Sequence, residues 1–174
     1  MTEDDLLGLA YQSTGRLRRF ALHLCGDADV ADDLVQDAIL RALASRRQLR
    51  DGTRALPWLF SILRSLFLTR HARAEHRREL LDTDAAEPVA NLEEEMLSKG
   101  VGDEVATALA TLPEAWRTCL LLCDVEGLSY DEIASVVDCP GGTVRSRIAR
   151  ARARLMESLR DYAARGGIGR GGRP

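Results

Sequence analysis

The 174-residue sequence contains no apolar run that approaches the ~20 residues a membrane-spanning helix needs. It has four cysteines, Cys25, Cys119, Cys123 and Cys139, but no CxxC pair, so a zinc knuckle or a thioredoxin-like redox site is not indicated. Cys119 and Cys123 lie one helical turn apart, and the ordinary reading of all four is small apolar residues with free thiols in a reducing compartment. No Asn-Gly or Asp-Gly hairpin signal occurs, and no Gly-rich phosphate loop. His23, His71 and His76 show no metal or triad spacing. These absences speak against an enzyme, a cofactor and a small-molecule substrate. Lysine is almost missing: Lys99 stands alone among 24 basic residues, which reads as coding bias. The opening Met1-Thr2-Glu3-Asp4-Asp5 is acidic where a secretion signal is basic, so a cytoplasmic address is expected.

What is present is charge, arranged in blocks. Residues 1–45 hold 4 basic and 8 acidic side chains, and 46–80 hold 9 and 3. Residues 81–139 hold 2 and 14, and 140–174 hold 9 and 2, inside a chain whose net charge is only −3. Two separated basic blocks suit two contacts with phosphate, while the acidic blocks face something else or keep the chain in solution.

Apolar residues recur at three and four rather than at two, so the fold is expected to be all-α, with two small helical domains joined by a flexible linker. A first helix starts after Thr2 and runs to about Leu24; Gly26-Asp27 breaks the chain. A second, over about Ala28 to Ala44, buries Ala31, Leu34, Ala38 and Ala42. After a polar loop from Ser45 to Ala55, a third helix opens with Pro57 near its first position, places Leu59, Ile62, Leu63 and Leu66 on one stripe and continues to about Arg73 or beyond. Trp58, beside that stripe, reads as core. This gives a first domain over 1–79, an acidic linker over 80–102, a second domain over 103–165 and a Gly/Arg tail over 166–174.

In the second domain, helices of about 103–111 and 113–126 precede Ser129-Tyr130-Asp131-Glu132, a capping box that nucleates a short helix to about Val137. Asp138 to Gly142 breaks it, and from Thr143 a long helix follows with Val144, Ile148, Ala151 and Leu155 as its buried stripe. Short helix, tight turn and second helix make a helix-turn-helix. Helical geometry then turns Arg145, Ser146, Ala149 and Arg150 outward, where recognition helices meet base edges, with Arg147, Arg152 and Arg154 on the flanks.

Leu112-Pro113-Glu114, Gly127-Leu128-Ser129-Tyr130 with Glu132-Ile133-Ala134, Gly142-Thr143-Val144-Arg145-Ser146-Arg147 and Ala151-Arg152 resemble region 4 of the extracytoplasmic-function sigma factors. Gly26-Asp27 with Ala31-Asp32-Asp33-Leu34-Val35-Gln36-Asp37, and Trp58-Leu59 with Ile62, resemble region 2 of the same family. The resemblance implies that Asp33, Gln36, Asp37 and Leu40 dock on the β′ clamp helices of core RNA polymerase. It implies that Thr143, Arg145, Ser146, Ala149 and Arg150 face the promoter −35 element. Arg64, Ser65, Leu68 and Arg70 are its −10 candidates, with the loop 45–55 beside them. Implied partners are core polymerase through the β′ clamp and the β flap, promoter DNA, and an anti-sigma factor able to sequester the chain at the inner membrane face. The −10 helix departs from the family pattern, with Arg64-Ser65 for Arg-Asn, Thr69 for Asp and Ala72 where a basic residue is usual. Two rival readings, a stand-alone helix-turn-helix regulator and a sigma-like decoy for an anti-sigma factor, are weaker. The first lacks an evident dimerisation surface, and the second would tolerate loss of arginines that are present.

Overall fold

A computed structural model describes residues 2–49, 51–81 and 103–164. Seven helices account for nearly all of them: α1 Glu3–Cys25, α2 Ala28–Ser45, α3 Ala55–Leu81, α4 Asp103–Ala110, α5 Glu114–Asp124, α6 Tyr130–Val137 and α7 Gly141–Ala164. No strand occurs among the described residues.

The helix starts follow local chemistry. Thr2 and Asp5 form a reciprocal capping box at α1, the Asp5 N–H donating to Thr2 Oγ1 (3.1 Å) and the Thr2 N–H to Asp5 Oδ2 (2.8 Å). Gly26 ends α1 in the left-handed region (φ 71°), where only glycine is free of a Cβ penalty, and Asp27 then caps α2 through the Val30 N–H (2.8 Å). Two short 3₁₀ turns, Arg46–Gln48 and Gly52–Arg54, fill much of the expected polar loop. The second feeds directly into α3, so that helix begins at Ala55 and Pro57 is its third residue rather than its first. Nothing opposes this, because the first turn of a helix has no intrahelical partner for its N–H groups. The helix also runs on to Leu81, two residues past the expected domain edge.

The first three helices bury Leu6, Leu17, Phe20, Leu34, Leu59, Phe60 and Leu63. At the centre Phe60 meets Phe20 edge-on, with ring centroids 5.2 Å apart and planes at 87°, a geometry that adds to the burial itself. The last four helices bury Leu122, Ile133, Val144, Ile148 and Ala151, as the long-helix stripe requires. The two sets belong to one contiguous hydrophobic cluster, with α6 lying on α3 and α5 reaching α1. The two helical domains expected are both present, and their interiors meet at a shared seam. The expected domain limits at 80–102 and 166–174 lie almost wholly outside the described residues.

Ser129 caps α6 and Glu132 reaches back to it, donated to by the Ser129 N–H at 2.7 Å. The Ser129 hydroxyl first, and that backbone bond second, hold the Glu132 carboxyl below its ordinary value. Replacing Ser129 with Ala is expected to cost about 1 kcal/mol and to lower the calorimetric melting temperature by ~2–4 °C; an unchanged melt would mean that α6 is held by packing alone.

Candidate nucleic-acid interface

The turn of the helix-turn-helix is built by Asp138, which takes the left-handed conformation (φ 50°) that short polar residues tolerate. The Cys139 N–H closes back on the Ala134 carbonyl (3.2 Å), and Pro140 accepts from Thr143 N–H (2.8 Å). The second helix therefore starts at Gly141, two residues before the position expected, because the Pro140 carbonyl serves as its first acceptor. Val144, Ile148 and Ala151 point inward and are buried, which leaves Arg145, Ala149 and Arg150 exposed on the outer face. Thr143 and Ser146 are half-buried, and the Ser146 hydroxyl donates to the Thr143 carbonyl at 2.9 Å.

The arginines from 145 to 154 on α7 fall into two groups. Arg147 is half-buried, with Nη1 3.6 Å from Cys139 Sγ. Arg152 donates to both oxygens of Asp124 at the end of α5 (2.5 and 3.2 Å), and Arg154 pairs with Glu157 at 3.0 Å. Arg145 and Arg150 have no carboxylate partner among the described residues. Each instead lies over an aromatic ring, Arg145 over Tyr130 and Arg150 over Trp116, both 5.9 Å from the centroid. A ring face holds a guanidinium in place without consuming its N–H donors. The sequence reading had the two arginines and missed both rings, since Trp116 and Tyr130 are far from them along the chain.

On the first half, Asp33, Gln36, Asp37 and Leu40 share the outer face of α2; Leu40 is 65% exposed between polar neighbours. That face forms one wall of a groove of about 700 Å³, whose other wall is Arg70, Arg73 and Arg77 of α3. Arg70 Nη2 is 3.8 Å from Asp33 Oδ2 across it. The acidic docking candidates and the basic block thus meet, a pairing that the two stretches read separately did not disclose. Of the remaining −10 candidates, Ser65 is exposed and Leu68 is 37% exposed, but the Arg64 side chain is only 15% exposed and lies 3.6 Å from Glu114 of α5. Trp58 is half-buried, packed on the core and on the seam with α6.

That seam is closed by Glu126, in the bend after α5. Its side chain is 2% exposed and accepts from Arg16 Nε (2.7 Å) and Arg19 Nη2 (3.2 Å), both on α1, while Arg16 Nη2 donates to the Glu126 carbonyl (2.5 Å). Arg16 also lies over the Phe60 ring, 6.0 Å from its centroid.

All four cysteines are free thiols. Burial pushes the Cys25, Cys119 and Cys123 thiols up, away from the reactive thiolate. No group of three or more side chains able to hold a metal ion occurs among the described residues, and no helix there is long and apolar enough to cross a membrane.

A sequence model described as sigma-70 region 2 matches residues 10–78, and one described as sigma-70, region 4 matches residues 102–155. The chain is 38% identical over 165 residues to the ECF RNA polymerase sigma factor EcfG of Rhodopseudomonas palustris, covering 90% of this chain and 83% of that one. Among solved structures it is similar to the sigma factor RpoE in its complex with the anti-sigma factor NepR from Bartonella quintana. That match has a TM-score of 0.74 at 28% identity and covers 90% of this chain and 97% of that one. It shares its fold with CnrH, solved in complex with the cytosolic domain of CnrY, at a TM-score of 0.61 and 22% identity over 92% and 90% of the two chains.

The Asp124–Arg152 pair joins α5 to α7, and Arg152 holds the Asp124 carboxyl below the usual aspartate range. A lowered folded-state pKa contributes stability above the unfolded value and loses it as pH falls through the folded one. Both side chains are more than a third exposed, so Arg152→Ala is expected to cost under about 1 kcal/mol. The difference between wild-type and variant melting temperatures should shrink as the buffer is taken from neutral to below the aspartate range; a constant difference would locate the effect in packing.

Proposed function

From the premise that the chain belongs to the extracytoplasmic-function sigma factors of the sigma-70 family, we propose a residue-level account of how it works. The protein directs core RNA polymerase to specific promoters and initiates transcription there. The polymerase does the chemistry, and this chain supplies recognition; we propose that it has no catalytic site, cofactor or metal of its own and acts in the cytoplasm.

In this reading α7 enters the major groove of the −35 element. Arg145 and Arg150 meet base edges and backbone, and Thr143, Ser146 and Ala149 fill the approach. The observation that carries it is the division among the arginines from 145 to 154 on α7: three are engaged by this chain's own side chains, and Arg145 and Arg150, on the outward N-terminal half, are left with open donors over aromatic rings. A guanidinium so placed suits the bidentate acceptors of a guanine or two phosphate oxygens.

The face of α2 with Asp33, Gln36, Asp37 and Leu40 docks on the β′ clamp helices, an apolar centre with acidic neighbours meeting a partner surface with a basic rim. Region 4 also takes the β flap. Arg64, Ser65, Leu68 and Arg70 on α3, with the turns over 46–54, hold the melted −10 strand. An anti-sigma factor regulates the chain by covering these docking surfaces, sequestering it at the inner membrane face when the inhibitor is membrane-bound; the similar RpoE was solved in complex with the anti-sigma factor NepR.

Replacing Arg145 or Arg150 with Ala is expected to weaken −35 recognition by about 1–3 kcal/mol where the contact is bidentate, read as lost run-off transcription from a −35-dependent promoter with core polymerase present. Normal transcription by both variants would remove α7 from the −35 element. Reversing the charge at Asp33 and Asp37 together should lower core-polymerase affinity, because like charges set across a rim reduce both on-rate and affinity. A titration of labelled protein with core polymerase measures it, and unchanged affinity would put the docking face elsewhere.

A further inference from the structure

The basic edges of α7 do not stop at the two arginines with open donors. Arg152 follows Arg145 by seven residues and Arg154 follows Arg150 by four, spacings that keep each pair on one side of a helix. At 1.5 Å per residue they stand ~10 and ~6 Å farther along the axis. A helix of ~10–12 Å diameter nearly fills a major groove ~12 Å wide, so phosphates run along both of its edges. Arg152 and Arg154 therefore stand where a cationic helix would add two contacts that carry no sequence information.

Both are occupied by carboxylates of this chain. Arg152 donates to the two oxygens of Asp124 at the end of α5 (2.5 and 3.2 Å), and Arg154 donates to Glu157, one turn on (3.0 Å). Glu157 and Arg154 line one cleft of about 400 Å³ with Trp116 and Arg150, so this acid stands beside a reading arginine as well as on its neighbour. Stability does not account for the two pairs. All four side chains are between 41% and 64% exposed, and ion pairs in that setting contribute little to folding. Their effect on DNA is larger, because a guanidinium already held by a carboxylate neutralises no phosphate and releases no counterion.

We propose that Asp124 and Glu157 are specificity-determining residues, which occupy Arg152 and Arg154 and so confine the DNA contact of α7 to its N-terminal half. The proposal rests on the reading of α7 as the −35 helix. On the right sequence, base contacts fix where that helix sits. On any other it is free to shift to wherever released arginines find phosphates, so releasing them favours the wrong complexes more than the right one. Discrimination is a difference of affinities, and here it is gained by weakening the competitor.

Full-length wild type, Asp124→Asn, Glu157→Gln and the double variant are titrated by fluorescence anisotropy against a labelled pool of random-sequence duplex between ~50 and ~200 mM salt. Each single variant should bind about fivefold more tightly at the low end, with a plot of log affinity on log salt steeper by ~0.9, and the double variant steeper by ~1.8. Glu157 is exposed at the helix surface, so Glu157→Gln keeps the test independent of any loss of folding at Asp124. In an Arg154→Ala background Glu157→Gln should bring no gain, and in an Arg152→Ala background neither should Asp124→Asn, because each acid acts through its arginine. Unchanged slopes in all variants, or equal gains with and without the arginine, would overturn the proposal. Reconstituted holoenzyme then transcribes a promoter library randomised over the −35 element. Wild type should enrich a sequence there and the double variant should give a flatter distribution; an equally sharp one would overturn the specificity role. No enrichment by wild type would overturn the −35 reading and the specificity role with it, whereas unchanged slopes on random duplex overturn the second alone.

Discussion

Each half of this chain is too small to close a large interior of its own, and the fold answers that constraint by joining the halves through one buried ionic contact. Glu126 is withdrawn from water and held by Arg16 and Arg19, more than a hundred residues earlier. Around it the arrangement is mutually dependent. Arg16 bridges from Phe60 at the centre of the first half to the carboxylate of the second, and α6 covers the stretch of α3 that carries Trp58 and Ser61. Removing one partner of such a contact is far more damaging than replacing all of it with apolar groups, because a lone buried charge has no compensation.

The charge blocks of the sequence acquire a different meaning in this light. The acidic stretch from 81 to 139 reads as a surface turned away from nucleic acid, yet several of its described acids are internal fasteners. Glu126 binds α1, Glu114 faces Arg64, Asp124 holds Arg152, and Glu132 closes the cap of α6. They sort the arginines of the chain into those used for its own structure and those left for a partner. Arg145 and Arg150 belong to the second class because aromatic rings, not carboxylates, support them.

Much of this was legible beforehand, for a physical reason. Helix caps at Thr2 and Ser129, the break at Gly26-Asp27 and the stripe Val144, Ile148 and Ala151 are encoded within a few residues of where they act, so a local reading recovers the helices and the helix-turn-helix. The free thiols and the outward placement of Arg145, Ala149 and Arg150 follow from the same logic. Local signals were less able to place Gly141 and Pro57, where a proline carbonyl or a preceding 3₁₀ turn moved the helix start. They were silent on Arg16–Glu126, Arg64–Glu114 and Asp33–Arg70, since nothing in the spacing of a charge names a partner on another helix. The two helical domains are there as read; what local signals could not disclose is that their interiors meet and that Arg64 is turned against Glu114.

The long helix α3 has one further consequence. At 1.5 Å per residue its 27 residues make a rod of ~40 Å, clamped at one end by Leu59, Phe60 and Leu63, which are fully buried. From Leu68 to Arg77 every described side chain is exposed except Ala74, which is half-buried. The far half is therefore a cantilever whose helicity rests on its own backbone bonds rather than on packing, and amide protection should decline along it from root to tip. Its arginines at 70, 73 and 77 are spaced one turn apart on one side. An anionic strand laid along them would stiffen the tip, so some of the binding free energy is spent on completing the rod, and ordering of the helix becomes a measure of occupancy.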